Sequence, residues 1–366
     1  MSERPDNVQA AEVCLPSTDL TADLAYYTGT LGFRLDTIFP ADDPAVATLS
    51  GHGLRLRLER GAAVAPGVLR LLCKDPSVFA GGERTLTAPN GTRILLVDAD
   101  PPLEIPQTKH AFVVRRLTDR APWVIGRAGM EYRDLIPGRL GGSIIASHIR
   151  IPEAGPVPDM VHYHTVGFQL IFCYTGWVRL VYEDQGPPFV LREGDCVIQP
   201  PRIRHRVLEA SDHLQVIEVG VPAEHVTTLD HEMELPTPIL DPGRDFGGQK
   251  FCRSEAAKAV WQPWRLRGFD ARDTGIGAAT AGVASVHVVR AAGPADGQII
   301  SHTSDILFTF VLAGSVTLRA QGQDAQALGA GDAYVIPPSL ATSLADCSGD
   351  LQLLEVSLPA ATPMRR

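Results

Sequence analysis

The sequence predicts a mainly β protein in three parts: an N-terminal α+β module of βαβββ order, then two small β-domains that are copies of one another. Three observations predict it. Short strand-like runs separated by turn residues dominate the chain, which carries 34 glycines and 29 prolines in 366 residues and few aromatics. Helical periodicity is confined to one stretch near the N-terminus, where Leu20, Leu24, Tyr27 and Leu31 recur at helical spacing. Two later segments repeat. "FQLIFCYTGWVRLVYED" at 168–184 parallels "LFTFVLAGSVTLRAQGQ" at 307–323, and "LREGDCVIQPPRIRHRV" at 191–207 parallels "LGAGDAYVIPPSLATSL" at 328–344. Gly176 and Gly314 lie 138 positions apart and Gly194 and Gly331 lie 137 apart, so spacing within each copy is kept to one residue, as an internal duplication requires.

Taken in order, the first part opens with a strand over "AEVCLPS", followed by an amphipathic helix capped by Asp or Thr and closed near Gly32. Strands "RLDTIF", "AVATLSG" and "LRLRLER" follow, the last with strict Leu/Arg alternation. The runs "VLRLLCKD" and "APNGTRILLVD" complete it, the second opening on a Pro-Asn-Gly turn of hairpin type. Proline-rich stretches at 98–109 and 234–245 read as linkers. They divide the chain into 1–105, 112–228 and 246–361.

Composition narrows the function. A length of 366 residues favours two or three domains, and 45% hydrophobic with 20% charged residues is ordinary globular composition. A net charge of −9 works against contact with phosphate backbones, so nucleic acid is not the expected partner. The N-terminus lacks an apolar signal core, and no run of about 18 apolar residues occurs, so neither export by a standard signal nor a membrane span is expected. Cys14, Cys73, Cys173, Cys196, Cys252 and Cys347 are scattered singly, which reads as reduced thiols in a cytoplasmic protein.

The stretch "HYHTVGFQLIFCYTG" at 162–176 carries the chemistry. Residues i and i+2 of a strand share a face, so His162 and His164 can offer two imidazoles to one point. A third, His205, follows the Pro-Pro turn of "GDCVIQPPRIRHRV". The spacing H-x-H-x4-[E/Q]-x6-G, then G-D-x5-P-x3-H, resembles the two motifs of the cupin superfamily. The resemblance implies a bicupin over about 114–360, with two antiparallel jelly-roll barrels and a metal ion inside the first. It places His162, His164 and His205 on the metal-binding histidines, Gln169 on the acidic ligand position, and Gly176 and Gly194 on the turn glycines. Gln offers only a neutral carbonyl oxygen, so three His and one Gln leave the full charge on a divalent ion. Gln169 is therefore either a direct ligand or a hydrogen-bonding group that orients a ligand or water. In the second copy only His302 survives, aligned with His164. Ile300, Leu307 and Thr342 stand where His162, Gln169 and His205 would be, so this barrel is expected to be metal-free and structural.

Ile171 and Cys173 share the parity of Gln169 and, with Ile198, are expected to line a substrate pocket, with His148 and Arg150 as candidate inward-facing groups. No general base stands out beyond Tyr163, His148 or Glu218, and His213, His225 and His231 receive no role.

The first part resembles the glyoxalase and bleomycin-resistance (vicinal oxygen chelate) superfamily through "STDLTADLAYYTGTLGFRLD" and "APNGTRILLVD". That likeness puts a metal ligand at Glu12, but Leu95 stands where the last strand would supply an acid, so a metal-free module for binding or assembly is expected.

Three functions follow. The first is a non-haem Fe(II) dioxygenase acting on a small cyclic or enolisable compound; the second is a redox-neutral lyase or isomerase using Mn, Zn or Ni as Lewis acid. The third is a metabolite-binding or sensory protein without catalysis. In each the partner is a small molecule, and the exposed barrel faces allow a homodimer.

Overall fold

The computed structural model describes residues 9–295, 297–360 and 364–365, and the chain divides into two units, Met1–Pro102 and Leu103–Arg366.

In the first unit a four-stranded sheet runs Val13–Ser17, Leu54–Arg60, Val46–Gly51, Arg34–Phe39, with the first pair parallel. The helix Leu20–Ala25 starts because Asp19 accepts hydrogen bonds from the Thr21 and Ala22 amides, and it continues as a π-turn over Tyr26–Thr30. Tyr27 and Leu31 face Leu49, Leu56 and Leu58 in one buried cluster, so the Leu/Arg alternation sorts into a core face and a wet face. A second sheet pairs Val68–Cys73 parallel to Arg93–Asp98, which also pairs with Thr85–Thr87 through the Asn90-Gly91 turn.

The second unit contains two β-barrels. In the first, one sheet carries Cys196–Ile198, Phe168–Thr175, Leu214–Val221, Ile145–Ile151 and Glu131–Asp134 in that order, and the facing sheet carries Phe189–Arg192, Trp177–Tyr182, His205–Ala210, His162–His164 and Thr227–Leu229. The second barrel repeats the first sheet with Ala333–Val335, Ile306–Ala313, Gln352–Leu358, Ser285–Ala291 and Phe269–Asp273, faced by Gln326–Gly329, Ser315–Ala320 and Thr342–Ala345.

The large sheets pack face to face. Phe168, Leu170, Phe172, Ile217 and Val219 of one meet Phe308, Phe310, Val286, Leu354 and Val356 of the other in a single buried cluster. Each fully buried side chain of this size contributes roughly 1.5–3 kcal/mol. The barrels also exchange edge strands: Val113–Arg115, ahead of the first barrel, pairs with Ala333–Val335, while Cys252–Ser254, ahead of the second, pairs with Cys196–Ile198. The exchange is tied at equivalent points, where Asp332 Oδ1 accepts from the Leu117 amide and Asp195 Oδ1 from the Ala256 amide, both at 2.7 Å.

The turn glycines are required by geometry. Gly176 and Gly314 have φ of +80° and +71°, and a Cβ on either would collide with the Ser211 or Ser348 hydroxyl. The six cysteines are free thiols. No helix among the described residues is long and apolar enough to cross a membrane.

Candidate metal centre

His162 and His164 project from one face of the strand His162–His164, while Tyr163 turns the other way beneath the Arg204 guanidinium, 4.4 Å from its ring centre. His205 opens the neighbouring antiparallel strand directly opposite His162. One ligand nitrogen from each of the three lies within 4.8 Å of the others.

Hydrogen bonds fix which nitrogen is offered. His162 Nδ1–H donates to the Met160 carbonyl at 2.7 Å and His205 Nδ1–H to that of Ile203 at 3.0 Å, while His164 Nδ1 shares a hydrogen bond with the Thr227 hydroxyl at 2.9 Å. In His162 and His205 the Nε2 lone pair is therefore left for another partner, and His162 Nε2 is buried with none. Burial also pushes all three titrations down, His164 to about 2, with the neighbouring imidazoles reinforcing the shift for His164 and His205. Three neutral imidazoles, each with a ring nitrogen within 4.8 Å of the others, fit a divalent transition metal.

Gln169 lies on the inward face of Phe168–Thr175, 1% exposed. Its Nε2 donates to Glu218 Oε1 at 2.5 Å, and its Oε1 is buried without a partner. A carboxylate thus accompanies the neutral glutamine after all, supplied from the adjacent strand Leu214–Val221. Burial raises the Glu218 titration above the usual carboxylate range.

A cavity of about 400 Å³ opens on this cluster. Its walls are chiefly apolar, with Ile149, Ile171, Leu180 and Val216 among them, and its polar groups include Arg127, Tyr132, Gln199, Glu218 and His225 beside His164 and His205. Arg127 Nη1 pairs closely with the buried Asp159, whose other oxygen accepts from the Val207 amide at 2.9 Å. Tyr182 stacks on His205 and its hydroxyl accepts from Gln199 Nε2 at 2.9 Å, so the imidazole is held from the side as well as from behind.

No family model and no curated protein matches this chain. Solved structures do. An oxalate decarboxylase from Bacillus subtilis aligns at 14% identity and a TM-score of 0.52, over 71% of this chain and 80% of its own. A salicylate 1,2-dioxygenase from Pseudaminobacter salicylatoxidans aligns at 16% identity and 0.53, over 71% and 90%. The fold is that of a bicupin. At these identities the likeness concerns architecture alone.

Within the first cupin barrel the structure separates the expected pocket residues. Ile171 lines the cavity. Cys173 faces the same interior but is packed into the core beyond it, and burial pushes its thiol up to about 12. Ile198 is turned away: pairing in register with Leu170, it shares that residue's face and joins the core between the barrels. Ser147 and Ile149 take the inward positions of Ile145–Ile151, so His148 and Arg150 point out of the barrel. His148 is buried at the seam, accepting at Nδ1 from Arg133 Nη2 (3.1 Å) and donating from Nε2 to Gln215 (2.7 Å). Arg150 lies 4.1 Å over Trp123 and pairs with Glu131. Parity along one strand could not say which face was inside, because both faces of this sheet are buried. His225, given no role by spacing, stands with its ring 5.4 Å from that of His164.

The second cupin barrel is organised differently. His302 Nε2–H donates to the Ile336 carbonyl at 3.0 Å, and the aligned positions hold Leu307 and Thr342. Arg265 makes a two-pronged pair with Glu355, the residue aligned with Glu218 at the duplication's 137-residue offset. In the first unit Glu12 lies 3.5 Å from Arg55, as an ion pair.

Proposed function

We propose that this protein is a metal-dependent cupin enzyme, a non-haem Fe(II) dioxygenase acting on a small cyclic or enolisable compound that carries an anionic group. One observation carries the proposal: three neutral imidazoles bring a ring nitrogen each to within 4.8 Å of one another at the edge of an apolar-walled cavity that also holds Arg127. His162, His164 and His205 would hold the ion, with the unpartnered Gln169 Oε1 as a further oxygen donor. Bound there, iron supplies Lewis acidity toward chelating oxygens and the capacity to react with O2.

The chain's own residues do the rest. Arg127, steadied by Asp159, offers a guanidinium to a carboxylate of the substrate. Ile149, Ile171 and Val216 exclude water around the substrate's carbon skeleton. Glu218, whose titration burial raises, can exchange a proton at its carboxyl oxygen, and Gln169 fixes that carboxyl in place. The fold-level neighbour named as a salicylate 1,2-dioxygenase makes 2-hydroxybenzoates the first substrates to try.

Glu218 also favours a second reading, a redox-neutral lyase or isomerase on Mn, Zn or Ni in which this carboxyl carries the proton. Oxygen-electrode assays on iron-loaded and manganese-loaded protein, with hydroxybenzoates and short hydroxy or dicarboxylic acids, separate the two. Substrate-dependent O2 uptake with iron supports the dioxygenase; turnover under nitrogen supports the lyase or isomerase. For the first unit we propose a metal-free binding or assembly role.

A further inference from the structure

The duplication brings two arginines to equivalent places at the seam between the barrels. Arg133 Nη2 donates to the carbonyl of Gly331 in the second barrel at 2.7 Å, and Arg272 Nη2 donates to that of Gly194 in the first at 2.6 Å. Both are buried, at 1% and 3% exposure. Their surroundings have diverged. Arg133 pairs in register with His148, which accepts from it and packs against Trp123, Tyr174 and Phe310. Arg272 pairs in register with Val288, and Leu312 stands where the first copy has Tyr174. Valine accepts no hydrogen bond, and two smaller side chains leave space.

Both consequences are visible. Arg272 Nε and Nη1 are buried with no hydrogen-bond partner among the described residues. Arg272 also borders a cavity of about 320 Å³, lined besides by Trp261, Phe172, Tyr174, Val288 and Leu312. Asp195 is the nearby acid that acts on this arginine, but both its oxygens are already engaged by the Ala256 and Arg192 amides. Glu193, the acid on the cavity wall, is exposed.

We propose that this seam cavity is a second small-molecule site, separate from the metal centre, which takes a monocarboxylate with a planar or apolar body. Arg272 keeps donors on Nε and Nη1 without a protein partner among the described residues, which suits an anionic ligand, and a buried guanidinium gains most from a partner that is itself desolvated. Trp261, Tyr174 and Phe172 suit a flat apolar body.

The test is calorimetric titration of benzoate into the full-length protein carrying His162→Ala, His205→Ala and Arg127→Met, so that neither a metal nor the guanidinium of the first barrel's cavity contributes. One saturable site is expected, weakened by about ten-fold or more in Arg272→Met and retained in part in Arg272→Lys. Leu312→Trp, which fills the cavity and leaves the arginine in place, is expected to weaken it likewise; this variant carries the test if Arg272→Met does not fold. Absence of saturable binding, or an affinity unchanged by Leu312→Trp, overturns the proposal. Inorganic phosphate binding more tightly than benzoate overturns the ligand class.

Discussion

The residues around the imidazoles divide the work of the proposed site, and each division can be measured. Arg127 is the cationic side chain on the cavity wall, so Arg127→Met is expected to raise KM for an anionic substrate by roughly 10–100-fold, the weight of a hydrogen bond to a charged group, with a smaller change in kcat. Glu218→Gln keeps a group of the same shape but removes the transferable proton. It should lower kcat by about 10²–10⁴-fold and leave metal content intact, as elemental analysis of the same preparation would check. The two motifs made His162, His164, Gln169 and His205 legible because strand spacing is local information. In the sequence Glu218 stood only as one of three possible bases and Arg127 not at all, since they come from strands and turns that only the barrel's closure brings near. One signal was present: Glu218 and Glu355 occupy the same place in both copies.

At the scale of elements, the seam is where sequence reasoning ran out. Alternation along Ile145–Ile151 gave two faces but not their surroundings, and the pairing Leu170↔Ile198 decided which side Ile198 joined. The strand exchange was equally hidden, because Val113–Arg115 and Cys252–Ser254 carry no mark of the barrel they complete. The seam's histidine makes a pH prediction. His148 titrates near 6.5 when unfolded and is pushed down to about 4 in the fold, first by burial and then by Arg133. A depressed value means that the unfolded chain takes up the proton first. The stability it contributes is therefore full above pH 6.5 and is lost as pH falls toward 4, a change of order ~3 kcal/mol. Thermal unfolding at pH 7 and pH 4.5 should show a drop in Tm that His148→Asn reduces; an equal drop in both proteins would remove His148 from the explanation. Gly176→Ala forces a side chain into a left-handed turn and should cost at least about 1–2 kcal/mol, read by urea denaturation.

For the molecule as a whole, duplication followed by divergence explains the division of labour within the second unit. One barrel holds three imidazoles beside an open cavity, while the other holds the Arg265–Glu355 pair, with Glu355 at the position aligned with Glu218. The repeat was readable from glycine spacing, and the βαβββ order of the first unit from periodicity, because both are patterns of backbone geometry. Everything functional then rests on whether His162, His164 and His205 hold a metal. The most direct measurement is the metal content of protein purified without chelator under nitrogen, by elemental mass spectrometry, alongside His162→Ala and His205→Ala. Close to one equivalent of iron in the wild type, lost in both folded variants, is the predicted result. A wild type that takes up no divalent ion, even after incubation with iron, manganese, zinc and nickel in turn, would contradict the account.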